Sequence, residues 1–334
     1  MSWKSEQSHG TLCASIAAAS GNDFCSVGIA PNATVSACRI LDPGSFSVFG
    51  PSLAVETYNS SYLYLYMENM HVSSNSYGRD VCHSERSRHN SSLQMCPFTS
   101  TAAFSPCSAS ACANVNWNHP TASADCEQYF MTYCENKFEE DAQACSSFLD
   151  LFTRCEFFSQ PPQELQAMVK GVTEGRSGKG IIFVFAAGNE YDSGDDVNFY
   201  GNLNSRYTIS VGAVSRYGVH ASYSTGGAPL FVSAPSGGTE SYTNNVVALA
   251  GGGCTGGDYG TSTAAPVVSG VVALILQTNT ELTWRDVQGV LAATSRKVQP
   301  DSPSWSTNAA GFHHSYLYGF GLVDANAAVN AAKT

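Results

Sequence analysis

Gly260-Thr261-Ser262-Thr263-Ala264-Ala265-Pro266, running on into Val267-Val268-Ser269-Gly270-Val271-Val272-Ala273-Leu274, sets one hydroxyl among small residues at the mouth of an apolar helix. The glycine permits a tight turn of the backbone, and the alanines let a neighbouring element pack close. A serine placed there has unpaired backbone N–H groups and the positive end of the helix dipole beside it. An oxyanion formed during acyl transfer needs those features. Serine and threonine are also ordinary helix caps, so a capped core helix is the competing reading of this stretch taken alone.

Two other stretches bear on the choice. His9-Gly10-Thr11-Leu12-Cys13-Ala14-Ser15-Ile16-Ala17-Ala18-Ala19 opens a second small-residue helix on a histidine. Ile181-Ile182-Phe183-Val184-Phe185-Ala186-Ala187-Gly188-Asn189 reads as a buried strand ending in Gly-Asn, from whose tip an amide can project. A lone histidine or a lone turn asparagine is more often structural than catalytic. The order His, Asn, Ser, with each residue in its own element, points to a nucleophilic site.

Periodicity supplies the frame. Val35 to Leu41 reads as a short strand, residues 51–70 as a helix and Met70 to Ser74 as the next strand. A helix over 163–175 feeds the apolar strand at 181–187, and Tyr207 to Val214 forms another strand. Strands alternating with helices predict an α/β fold with a mostly parallel sheet covered on both faces. A polar, cysteine-rich stretch interrupts this pattern, with a helical segment of its own near 125–152. The chain leaves the core just after Gly78 and returns near Pro161-Pro162.

His9-Gly10-Thr11, Ala187-Gly188-Asn189 and the stretch from Gly260 to Pro266 together resemble the histidine, oxyanion-asparagine and nucleophile motifs of the subtilisin-like serine proteases. Four further features are similar to the kexin and furin branch: Cys13, Gly175-Arg176-Ser177-Gly178-Lys179-Gly180, Leu282-Thr283-Trp284-Arg285-Asp286-Val287-Gln288 and Tyr318-Gly319-Phe320-Gly321-Leu322-Val323-Asp324-Ala325. The likeness runs over about residues 9–79 and 163–332. It implies a subtilisin-like three-layer fold, with a catalytic domain formed by 1–79 and 160–334 around a cysteine-rich insert at 80–159. It also implies a serine endopeptidase. Ser262 Oγ would attack the peptide carbonyl, His9 would take its proton, and the Asn189 amide and Ser262 N–H would hold the oxyanion. In that family the aspartate that orients the histidine lies on an earlier strand. Here eight residues precede His9, and Glu6 is the one acid among them. The aspartate is therefore expected to be missing from this span by truncation, and the span alone to be nearly inert.

The same likeness places Ser74, Asn75, Ser76 and Gly78 along the substrate cleft, the first three pairing with substrate backbone as an added strand. Positions where furin-like enzymes carry carboxylates for Arg or Lys are Val81 and Tyr200 here, and a calcium-binding glutamate is Thr225. Asp80, Asp195 and Asp196 lie close by. Strict dibasic specificity is expected to be weakened and that calcium site lost. A structural calcium is implied instead at Ser20 to Ser26, with Asn22 and backbone carbonyls as oxygen ligands. An asparagine turn closed by its own hydrogen bonds is the alternative. Catalysis needs no cofactor.

Composition narrows the partners. With 334 residues the chain can bury a large core, and its net charge of −11 without a basic run argues against nucleic acid. No apolar stretch is expected to span a membrane, and no signal peptide is read before the histidine motif. Eight of the twelve cysteines (Cys82, Cys96, Cys107, Cys112, Cys126, Cys134, Cys145 and Cys155) fall in the insert and read as up to four disulfides. Zinc competes for them, although no Cys-x-x-Cys pair occurs. Cys25 and Cys254 resemble a bridge of furin-like enzymes, and Cys13 and Cys38 are expected as buried thiols. Sequons at Asn32, Asn59 and Asn90 fit a secreted protein. Protein or peptide substrates and a monomeric state are expected. The alternative is a catalytically inactive relative that binds peptides or partners outside the cell through its insert. An unrelated serine esterase is disfavoured, because Gly260-Thr261-Ser262-Thr263-Ala264 breaks Gly-x-Ser-x-Gly.

Overall fold

Ile182–Ala186 is apolar at every position, as a strand covered on both faces must be, and all five residues are buried. The structure, a computed structural model, describes residues 9–23, 25–36, 46–47, 50–51, 70–78, 157–237, 246–249, 253–256 and 259–334. In chain order its elements are α1 (His9–Ala18), β1 (Phe46–Ser47), β2 (Gly50–Pro51), β3 (Val72–Asn75), α2 (Pro162–Glu174), β4 (Ile182–Ala186), β5 (Thr208–Val214), β6 (Leu230–Pro235), β7 (Val246–Leu249) and β8 (Gly253–Gly256). Then follow α3 (Thr261–Thr278), α4 (Trp284–Thr294), β9 (Trp305–Thr307), β10 (His313–Ser315) and α5 (Ala325–Ala331). The chain divides into two compact units. One comprises Met1–Arg79, Phe157–Asn189 and Asp196–Thr334, and the other Asp80–Glu156 with Glu190–Asp195. Every labelled element belongs to the first unit.

The sheet runs β3-β4-β5-β6 with all neighbours parallel. Side chains alternate across β4. Ile182, Val184 and Ala186 join one core cluster with Ile209, Val211 and Val232 of the next two strands. Val268, Val271, Val272 and Ile275 of α3 fill the same cluster, with Val287 and Leu291 of α4 and Ala328 of α5 behind them. Each such buried aliphatic side chain contributes roughly 1.5–3 kcal/mol. Phe183 and Phe185 point to the other face, and the Phe185 ring meets Tyr77 edge-on at 6.3 Å. The sheet is thus flanked by helices, an α/β fold. By length and composition α3 could cross a membrane, but most of it is buried in this core.

Local chemistry sets the ends of the helices. Pro162 stands at the first position of α2, where a missing N–H costs nothing. Thr283 and Asp286 form a reciprocal capping box at the start of α4. Between α2 and β4, Arg176 and Ser177 take left-handed dihedrals, φ 50° and 58°. The Arg176 guanidinium holds this turn by donating to the carbonyls of Gly180 and Leu282 at 3.0 Å and of Thr280 at 3.2 Å. The Gly175–Lys179 stretch therefore clamps the loop between α3 and α4 as well as bending the chain. Cys25 and Cys254 are joined by a disulfide across 229 residues of sequence, a closure worth about 5 kcal/mol in chain entropy.

Some expectations need amendment. Val35 and Ser36 are irregular, and 37–41 lie outside the described residues. Pro51 belongs to the β1–β2 pair, and 52–69 also lie outside, as do Cys38, Val81 and residues 80–156 of the insert. The strand β6 was not anticipated.

Candidate active site

Gly260 precedes α3 with φ 117°, a conformation open to glycine. A Cβ at this position would also lie 3.4 Å from both amide atoms of Asn189. The next residue ties that amide down. Thr261 donates to Asn189 Oδ1 twice, from its N–H at 2.8 Å and from Oγ1 at 2.9 Å. Gly188 N–H in turn donates to Thr261 Oγ1 at 3.1 Å. With its carbonyl end held by two donors, exposed Asn189 turns Nδ2 away from Thr261, free to donate elsewhere.

Buried hydroxyls support the turn from below. Gly260 N–H donates to Tyr223 OH at 3.0 Å, and Tyr223 OH donates to Gly237 O at 2.5 Å and lies 3.1 Å from Ser236 Oγ. Ser236 Oγ lies 2.9 Å from Gly260 O and 2.6 Å from Thr263 Oγ1. All three side chains are buried, Ser236 and Thr263 almost completely, so each bond is made where water cannot replace it. Sequence reasoning passed over Tyr223 and Ser236. Their only visible signal was a tyrosine between two serines at 222–224.

Ser262 is half-buried, with Oγ 3.5 Å from Ser76 O. Its backbone carbonyl accepts from Ser76 Oγ at 2.9 Å and from Cys13 Sγ at 3.3 Å. Cys13 is thus a half-buried thiol that touches the first turn of α3. A second contact sets the direction of α1. Gly270 comes so near α1 that an added Cβ would lie 3.0 Å from Ala17 O. Cys13 meets residue 262 and Ala17 meets residue 270, so α1 and α3 run in the same sense. His9 lies one turn before Cys13 on the same helix face, toward the end of α3 that carries Ser262. The His9 side chain is exposed and makes no hydrogen bond among the described residues.

The proposed cleft residues are engaged within the protein. Ser74 Oγ accepts from Ser269 Oγ at 2.9 Å. Asn75 is buried, and its Nδ2 faces Ser73 Oγ at 3.0 Å and Val184 O at 3.1 Å. Any pairing with a substrate at these positions falls to the main chain. Gly78 is exposed, and nothing crowds its Cα. Burial, and next the Glu164 carboxylate, push the Tyr77 hydroxyl well above the ordinary phenol range.

Asn22 closes its own loop, its Nδ2 donating to Ser20 O at 2.6 Å and to Ser26 O at 3.2 Å. This is the geometry of an asparagine turn closed by its own hydrogen bonds. Tyr200 and Thr225 are buried. Asp196 Oδ1 accepts from Asn198 N–H at 2.8 Å, capping a short 3-10 turn. Among the described residues no cluster of His, Cys, Asp and Glu could hold a metal.

The sequence model of the subtilase family matches residues 2–321. The chain belongs to the subtilase family. Within it, this subtilase is 40% identical over 179 residues to kexin of Saccharomyces cerevisiae, covering 52% of the chain and 22% of kexin. It is 42% identical over 171 residues to human proprotein convertase subtilisin/kexin type 7, covering 50% of the chain and 22% of that protein. The chain therefore spans about a fifth of the length of these kexin-like relatives. A crystal structure of a serine protease of Aeromonas sobria superposes with a TM-score of 0.66 at 19% identity. The superposition covers 97% of this chain and 53% of that one and shows the shared fold. In this subtilase, hydroxyls of Tyr223, Ser236 and Thr261 assemble the turn before Ser262.

Proposed function

We propose that this subtilase chain forms the catalytic part of a kexin-like serine endopeptidase. One observation carries the proposal: Thr261, the residue before the nucleophile, holds the carbonyl end of the Asn189 amide and leaves the N–H end to donate. In the reaction Ser262 Oγ attacks the peptide carbonyl while His9 accepts its proton. The carbonyl oxygen takes the negative charge and is held by Asn189 Nδ2 and Ser262 N–H. His9 then returns the proton to the leaving amine, and water repeats the sequence on the acyl-serine. Removing the orienting aspartate of such a triad costs about four orders of magnitude in turnover.

With Val81 and Tyr200 where furin-like enzymes carry carboxylates, Arg before the scissile bond should be accepted less strictly, since a buried cation needs a paired anion. Substrates varied among Arg, Leu and Phe before the scissile bond test this, and a strong Arg preference would refute it. The Cys25–Cys254 disulfide and the twelve cysteines support a secretory, oxidising setting. The proposal as a whole is tested by a fluorophosphonate probe on the full-length protein, which is expected to label Ser262 and to leave Ser262→Ala unlabelled. Equal labelling of both proteins, or of neither, would overturn it and favour an inactive binding module.

A further inference from the structure

We infer that Pro266 and Ser76 are positioning residues for Ser262, resting on the proposed role of Ser262 as nucleophile. In an α-helix the carbonyl of residue i accepts from the N–H of residue i+4. For Ser262 that donor would be residue 266, which is proline and has no N–H. Pro266 lies buried in the interior of α3 and leaves the carbonyl of Ser262 without its i+4 donor.

Two donors from other elements take that carbonyl. Ser76 Oγ, just past β3, donates at 2.9 Å, and Cys13 Sγ, on α1, donates at 3.3 Å. The single hydroxyl proton of Ser76 is used in this bond. The carbonyl of the same residue is the acceptor 3.5 Å from Ser262 Oγ. Ser76 therefore touches the nucleophile residue at two points, one on its main chain and one on its side chain. The acceptor released by Pro266 is where three elements meet: the helix that carries His9, the helix that carries Ser262 and the segment leaving β3. An unbroken helix would use the carbonyl internally, and these elements would lose their common hydrogen-bonded point. Ser76 thus acts through Ser262 rather than only through substrate.

The test compares Ser76→Ala, Ser76→Thr and Pro266→Ala with the parent, all in the full-length protein. Fluorophosphonate labelling rates, kcat and KM on a peptide ester, and melting temperatures are measured for each. Loss of one such hydrogen bond is expected to slow labelling by about tenfold. Ser76→Ala should lose kcat by that factor with KM unchanged, and Ser76→Thr, which keeps the donor, should restore most of it. Pro266→Ala supplies an N–H that competes for the carbonyl. It should lower reactivity by a similar factor while melting no earlier than the parent, because alanine is the better helix former. Labelling of Ser76→Ala and Pro266→Ala within twofold of the parent overturns the inference alone. So does a rise in KM at constant kcat in Ser76→Ala, which marks a simple substrate contact. Failure of the parent to label at Ser262 removes the proposed function and this inference with it.

Discussion

The first turns of α1 and α3 both hold a residue of the proposed mechanism, yet they are built differently. Around the mouth of α3, Gly260 and Thr261 are bonded to Tyr223, Ser236 and Asn189, and most of these groups are buried. At the mouth of α1, His9 is exposed and its side chain bonds to nothing among the described residues. Ser262 and Asn189, the proposed nucleophile and oxyanion donor, are therefore fixed by hydrogen bonds inside this chain. His9, the proposed base, is placed by the way its helix lies against α3 at Cys13 and Ala17 and is tied by main-chain bonds to residues 28–30. Preorganisation is concentrated where charge develops, as electrostatic catalysis requires.

Substitutions can break or sharpen this contrast. The largest effect is expected for His9→Ala. Measured in the full-length protein with its orienting aspartate, turnover should fall by about 10⁴ or more, while unfolding free energy stays within about 0.5 kcal/mol of the parent. A loss of stability above about 2 kcal/mol would show that the mouth of α1 is as tightly built as that of α3. Asn189→Ala comes next, with kcat expected to fall about 10²–10³-fold. Asn189→Asp keeps an acceptor for Thr261 but replaces the donor by an anion, so it should recover none of that loss.

On the segment that leads into Tyr223 lies His220, whose Nε2 meets Ser224 O at 3.0 Å. Burial lowers its pKa from 6.5 to about 4. The unfolded chain then takes up a proton between those values while the folded chain does not. Stability should be full above about pH 6.5 and fall as the pH drops toward about 4, by roughly 3 kcal/mol in total. His220→Gln should flatten the dependence measured by urea unfolding, and an unchanged slope would contradict the assignment. The smallest effect is expected for Tyr223→Phe, which removes the acceptor of Gly260 N–H. Chemical denaturation should show a loss of about 1–3 kcal/mol. No loss would mean that the hydroxyls under α3 do not organise it.

The sequence discloses the parts of the site whose residue types announce their geometry. Gly-Asn after an all-apolar run, and a lone serine among glycine and alanine before another, mark turns that must be tight and close to a neighbour. The strands β4 and β5 and the helix α2 follow from unbroken burial or helical period. The hydroxyl network was not legible, because Tyr223, Ser236 and Thr263 are scattered over forty residues and only the fold brings them together. The strand β6 escaped notice since Ser233 and Pro235 interrupt its apolar run. Asn22 illustrates a different limit. A side-chain amide offers both an oxygen and an N–H, and the type alone does not say which one the loop uses.

The oxyanion arrangement is tested most directly by a crystal structure of the chain with Ser262 modified by a fluorophosphonate. The phosphoryl oxygen should lie about 2.7–3.1 Å from both Asn189 Nδ2 and Ser262 N, with Thr261 still holding Asn189 Oδ1. An adduct on another residue, or a phosphoryl oxygen turned away from Asn189, would contradict the account.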